Sequence, residues 1–280
     1  MLTALLASAG AVLFGSGDFL GGFASRKSPA LAVSAVMYAV GAALFVLLLA
    51  VVRPQAVTIG DYAWAASSGV FGTVGVLALY AALATGRMSV VAPLTAGLSG
   101  AGPAVFDLLR GTRVGAMSLV GIALAFLAVV VVSTTRGTVE EHGMPARAIV
   151  LSVLSGVAFA CSLISLSLTA SASGFAPLLV ARIVGLAIMG VALFSWRGSI
   201  TWDAGSVRLA AFAGVLDAGA NMAILSAIRV GPLAVASVVG GLYPVMTMLL
   251  ARVFLGERLK RHQAFGVAIA LAAVVLTALP

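Results

Sequence analysis

Ten hydrophobic runs, each close to twenty residues, succeed one another along the 280 residues, separated by short polar breaks. They lie near 2–24, 30–52, 62–85, 88–109, 114–134, 147–168, 174–196, 207–228, 232–254 and 262–279. A helix rising about 1.5 Å per residue needs about 20 residues to cross a hydrocarbon layer about 30 Å thick, so the run length is that of a transmembrane helix. The runs are apolar nearly all round rather than striped, which predicts burial in lipid and protein together rather than a soluble bundle. They lack the short alternating segments of a membrane barrel. The pattern therefore predicts an all-α membrane protein with ten transmembrane helices.

The runs also repeat. Residues 1–135 and 146–280 align at a constant offset of 145, with 136–145 as the linker between two five-helix units. The offset carries Phe14 to Phe159, Gly69 to Gly214, Gly86 to Gly231 and Gly121 to Gly266. It also lays Leu109-Arg110-Gly111-Thr112-Arg113-Val114 over Phe254-Leu255-Gly256-Glu257-Arg258-Leu259. A unit that crosses the membrane an odd number of times leaves its copy upside down, so the expected architecture is two inverted five-helix repeats. Inverted repeats are the sequence signature of many transporter folds, and this draws the functional reading toward transport.

Composition agrees with a bilayer environment: 62% of residues are hydrophobic, 9% are charged and the mean hydropathy is +1.20, against about 25% charged in a soluble domain. The net charge of +8 comes from Lys and Arg at helix ends and in short loops, a distribution that speaks to anionic headgroups and orientation, not to nucleic acid. Basic residues gather in the odd-numbered loops (Arg26, Lys27, Arg87 and the cluster at 258–261), which by the positive-inside rule places both termini outside. Met1-Leu2-Thr3 supplies no basic start, so the first run reads as a retained helix rather than a signal peptide. The single Cys161 forms no internal disulfide and reads as packing, and Trp64, Trp196 and Trp202 near span ends read as interfacial anchors. His142 and His262 lack a metal-ligand spacing, and no nucleotide-binding loop is present. An enzyme is therefore not expected, nor a cofactor or metal.

Charges inside the spans are few, and each is expensive enough in hydrocarbon to be a functional candidate. Asp18 shares a helical face with Gly10, Phe14, Gly17 and Gly21; its plain alternative is a structural pair with Arg26. Asp217 stands near the middle of the eighth run with Asn221 one turn on, and a carboxylate there takes up a proton, holds a cationic group or neutralises a base. Arg182 is the one base well inside a span. It is expected to pair with Asp217 or Asp18, to grip a substrate carboxylate, or to snorkel to the interface. Tyr80 and Tyr243 are candidate substrate contacts, and the symmetry mates Phe14 and Phe159 candidate cavity linings.

The fourth and ninth runs carry interruptions at corresponding places. Pro93, Gly97, Ser99, Gly100, Gly102 and Pro103 fall in one, and Gly240, Gly241 and Pro244 in the other. Proline frees a backbone carbonyl and glycine weakens a helix, so both runs are expected to break, with Pro93, Gly97, Gly240, Gly241 and Pro244 as gating positions. Elsewhere glycines at small-xxx-small spacing, such as Gly17 and Gly21, read as close packing.

The ten spans in two repeats, Gly241-Leu242-Tyr243-Pro244 and Leu255-Gly256-Glu257-Arg258-Leu259 before the last helix together resemble the EamA branch of the drug/metabolite transporter superfamily, bacterial exporters of amino acids and other small metabolites. The likeness covers the whole chain. The first half departs from it, with Thr112 in place of the glutamate and Leu98-Ser99 where the second half has Tyr243-Pro244. The resemblance implies a multi-pass protein of the bacterial inner membrane, with both termini cytoplasmic against the loop charges. It implies a central cavity between the repeats, alternating access, and Glu257 with Arg258 as a turn-stabilising pair. The expected activity is export of a small polar or amphipathic metabolite such as an amino acid. A flippase for a lipid-linked carrier is the alternative. Proton antiport through Asp217 or Asp18 and uncoupled diffusion both stay open.

Overall fold

The computed structural model describes residues 1–25, 28–85, 88–133, 145–195, 203–255 and 261–278. Among these residues all ten runs are helical: α1 (Leu2–Ala24), α2 (Ala30–Val51), α3 (Ile59–Thr85), α4 (Met88–Leu109), α5 (Ala116–Ser133), α6 (Ala146–Ser167), α7 (Ala176–Phe194) and α8 (Ala204–Val230). The ninth run forms two pieces, α9 (Leu233–Gly240) and α10 (Tyr243–Leu255), and the tenth is α11 (Arg261–Ala278). Among the described residues six helices are long and apolar enough to cross a membrane, and Leu94–Leu109, Ala116–Ala128 and Leu233–Thr247 form shorter apolar stretches. Shifted by 145, the bounds of α3 fall on those of α8 and the bounds of α5 on those of α11.

The helix starts are cut by local polar chemistry. Thr58 and Asp61 cap α3 reciprocally: the Thr58 hydroxyl accepts from the Asp61 N–H at 3.2 Å, and the Asp61 carboxylate accepts from the Thr58 N–H at 2.8 Å. At the matching start of α8, Asp203 accepts from the Ser206 N–H at 2.8 Å. Each cap satisfies an N–H that the first helical turn otherwise leaves open, worth about 1 kcal/mol.

Packing joins the two sequence repeats rather than separating them. The most extensive pairings are α1 with α8, α3 with α6 and α5 with α11, all between halves, and the 145 shift exchanges the first two. Two interleaved bundles result. One holds α1, α2, α8, α9 and α10, and the other holds α3, α4, α6 and α7. They meet along α2–α7 and α4–α9, with α5 and α11 paired to one side. The apolar core follows the same logic, one cluster drawing Ala4 and Ala7 from α1, Ile224 and Ala227 from α8, and Val235, Ala236 and Val239 from α9.

Small residues make these approaches possible. A Cβ on Gly69 would stand 2.6 Å from the Ala181 carbonyl oxygen on α7, and one on its mate Gly214 would stand 2.7 Å from the Met37 carbonyl oxygen on α2. Backbone lies against backbone at both places, as small-residue interfaces in membranes allow.

The inversion is visible in which ends meet. Thr3 at the start of α1 lies against Gly231 at the α8–α9 junction. At that same end of the molecule, past the close of α6, the Ala170 N–H donates to Asp61 at 2.6 Å and the Gln55 N–H to the Ala172 carbonyl at 2.9 Å. Thus α1 begins where its counterpart α6 finishes. Likewise Asp107, near the close of α4, accepts from the Ala234 N–H at 3.0 Å in the first turn of α9.

One expectation is corrected here. The ninth run breaks at Gly240-Gly241, but α4 runs unbroken through Pro93, Gly97 and Pro103. The difference lies in how the helix breakers are grouped. In the ninth run two adjacent glycines end α9, and Pro244 stands second in α10, where the missing N–H has no intrahelical duty. In α4, Pro93 sits near the helix start and Pro103 lies ten residues on, so each removes one bond from an otherwise continuous ladder.

Candidate functional site

A cavity of about 190 Å³ lies between the two bundles. From the first bundle α1 contributes Phe14 and Asp18, α2 Ser34 and Tyr38, α8 Asp217 and Asn221, and the α9–α10 break Ser237, Gly240, Gly241 and Tyr243. From the second come Ser68 and Gly72 of α3, Ser99 of α4, Phe159 and Ser162 of α6, and Arg182 of α7. Phe14 and Phe159 therefore face one space from opposite sides, as their sequence symmetry suggests.

Across this space Arg182 Nη2 donates to Asp217 Oδ2 in an ion pair whose arginine is buried and whose carboxylate is partly exposed. The Arg182 guanidinium also stacks on the Tyr38 ring, its central carbon 4.3 Å from the ring centroid. Gly41, one turn beyond Tyr38, makes room, since a Cβ there would stand 3.4 Å from Arg182 Nε. Of the partners open to Arg182 in the sequence, Asp217 is the one it meets. Asn221 donates Nδ2–H to the Asp217 main-chain carbonyl at 2.8 Å, which fixes its amide on the same face of α8. The pair joins α7 of one bundle to α8 of the other, so a charge contact spans the cavity.

Asp18 stands differently. It lines the same cavity, yet among the described residues it has no hydrogen-bond or ion-pair partner; Arg26, its candidate structural partner, lies outside the described residues. Ser34 is 2% exposed and its hydroxyl has no partner among the described residues. The facing wall is better satisfied: Ser162 Oγ donates to the Ser68 carbonyl at 2.9 Å, Ser67 and Ser165 hydroxyls lie 3.1 Å apart, and Ser155 Oγ donates to the Gly75 carbonyl at 2.8 Å. These bonds hold α3 to α6.

The remaining expectations divide. Gly240 and Gly241 line the cavity at the break, and Pro244 follows directly after Tyr243. Gly97 has open space where a Cβ would stand and does not line the cavity. Tyr80 and Pro93 fall in α3 and α4, but their side chains lie outside the described residues, as do Trp196, Trp202, His142 and the Glu257–Arg258 turn. Trp64 is exposed near the start of α3, and Cys161 is half-buried and free. Among the described residues no group of three or more His, Cys, Asp and Glu side chains comes together.

Sequence reasoning missed Ser34, Tyr38 and Asp107. The first two had a signal: Ser34, Tyr38 and Gly41 are spaced four and three apart, a polar and small stripe on one face of a highly apolar helix. Asp107 reads as a helix-end charge until α9 is seen to start beside it.

Comparison with known proteins adds three findings. A family model described as EamA-like transporter family matches residues 1–134 and again 146–279. No curated protein sequence matches. A solved crystal structure is similar in fold over 98% of this chain and 96% of its own, with a TM-score of 0.76 at 17% identity.

Proposed function

This chain belongs to the EamA-like transporter family, and we propose that it is a ten-span secondary transporter that exports a small polar or amphipathic metabolite by alternating access. Members of this family are multi-pass membrane transporters of small molecules, which sets enzymatic readings aside. The cell membrane of a bacterium is the proposed site of action.

The observation that carries this reading is the cavity between the bundles. Its walls hold an ion pair, together with a carboxylate and a hydroxyl that have no partner among the described residues. Intramembrane charges facing a protein cavity mark solute paths, because lipid offers them no partner. The break between α9 and α10 supports it further: the Gly240 carbonyl, freed by Pro244, lies at a cavity-lining residue. In this reading the moving bodies are the interleaved bundles, not the sequence halves, because each half packs mainly on the other. A flippase for a lipid-linked carrier needs a lateral seam for an acyl tail; the carboxylate, guanidinium and hydroxyl lining favours an enclosed polar solute.

Counterflow in proteoliposomes tests the proposal. Vesicles loaded with an unlabelled metabolite mixture and diluted into single labelled amino acids, amines or sugars should accumulate at least one label transiently, and empty vesicles none. Absence of counterflow for every solute, from protein that is folded and monodisperse, would contradict it.

A further inference from the structure

Resting on the transporter reading, we propose that the cavity is built for an organic monocation, an ammonium group on an aromatic or alkyl body, rather than for an anion or a zwitterion. Among the described residues the charged side chains that line the cavity are Asp18, Asp217 and Arg182, two acids against one base, so with both carboxylates ionised these walls carry one net negative charge. Arg182 is already committed. It is bonded to Asp217, stacked on Tyr38 and only 6% exposed. A substrate carboxylate would have to share this one guanidinium with Asp217, setting a third carboxylate beside Asp217 and Asp18 against a single base, which a low-dielectric site opposes.

Asp18 supplies the missing half of the argument. It faces the cavity with no partner among the described residues, and an isolated charge in such a place is neutralised by a proton or by a cation. Phe14 lies one turn away on the same face of α1, and Phe159 lines the space from α6. A carboxylate that shares a cavity with aromatic rings recognises an alkylammonium by charge, and the rings add cation–π attraction where they turn a face to it. Ser34 points the same way. Its hydroxyl is buried on the cavity wall with no partner among the described residues, a group that a ligand N–H can satisfy. No second free base is present among the described lining residues to receive the carboxylate of a zwitterion.

The test uses four probes of similar body and different charge: phenylethylamine, 3-phenylpropionate, phenylalanine and 2-phenylethanol. Binding to the purified full-length protein is measured by isothermal titration. Phenylethylamine should bind at least about tenfold more tightly than each of the other three. Asp18→Asn should weaken phenylethylamine by at least about tenfold and leave phenylethanol unchanged, whereas Asp18→Glu should retain most of the affinity. Ser34→Ala should weaken it about threefold, and it keeps the test open should Asp18→Asn not fold. Equal or tighter binding of phenylpropionate or phenylalanine would overturn the proposal, as would full amine affinity in a folded Asp18→Asn protein, or no binding of phenylethylamine or hexylamine at millimolar concentration. Proteoliposome flux separates this from the broader reading: flux of an anionic solute with no amine binding sinks the inference alone, while amine binding with no flux of any solute sinks the transporter reading alone.

Discussion

The two walls of the cavity differ in chemistry. The bundle of α1, α2, α8, α9 and α10 carries Asp18, Asp217, the Ser34 hydroxyl, which has no partner among the described residues, and the broken helix. The bundle of α3, α4, α6 and α7 carries Arg182, an unbroken α4 and serines tied to one another between α3 and α6. A nearly two-fold scaffold thus holds an asymmetric site: one wall is cross-linked internally, while the other presents polar groups and a joint between two short helices. Phe14 and Phe159 obey the symmetry. The charged groups do not, for at the 145 shift the counterpart of Asp18 is Leu163, that of Asp217 is Gly72 and that of Arg182 is Met37. The repeat sets the space, and departures from the repeat set the chemistry.

The largest test of this contrast removes the contact that joins the walls. Asp217→Leu leaves Arg182 buried without a counter-ion and should cost about 3–5 kcal/mol, read as a fall in the thermal midpoint of the purified protein. The double substitution Arg182→Leu with Asp217→Leu should recover most of that loss. Full stability in the single variant would mean that the pair does not hold the walls together.

Next come the close approaches. Gly214→Leu places a side chain where the Met37 backbone stands, with the first added carbon 2.7 Å from its carbonyl oxygen. The forced separation of α8 from α2 should cost about 1–3 kcal/mol. Gly69→Leu should cost a similar amount at the mate position, and a large difference between the two would show that the scaffold is less symmetric than its packing.

Smaller effects follow at the helix ends and in the cavity itself. Asp107→Ala removes the carboxylate that accepts from the Ala234 N–H and, at 2.8 Å, from Thr112 Oγ1. It should lower stability by about 1 kcal/mol, as loss of a helix cap does. Asp18→Asn removes no protein contact among the described residues, and its stability should stay within about 0.5 kcal/mol of the parent. A strong destabilisation there would assign Asp18 to structure instead of ligand.

Much of the fold was legible because run length and the 145 offset are properties of the chain alone. The Arg182 pairing was legible only as one choice among Asp217, Asp18, a substrate carboxylate and the interface, because an intramembrane base has very few acids to choose from; the structure selects Asp217. The interleaving of the bundles was not, since hydropathy records how apolar a helix is and not which helix it touches. Ser34 and Tyr38 escaped because α2 is so apolar that its polar stripe is lost in the average. The unbroken α4 escaped because proline and glycine content was read without regard to grouping; adjacent Gly240 and Gly241 end a helix, while the spread residues of α4 do not.

The most direct test of the central claim measures distances between the bundles at both ends of the molecule by pulsed spin-label spectroscopy, in lipid and with Cys161 replaced by serine. One label pair joins Leu2 of α1 to Ala170 after α6, and the other joins Gly22 of α1 to Arg147 of α6; all four positions are exposed. On addition of a transported solute, one distance should lengthen while the other shortens. Distances that stay fixed at both ends, or that change in the same sense, would contradict alternating access around this cavity.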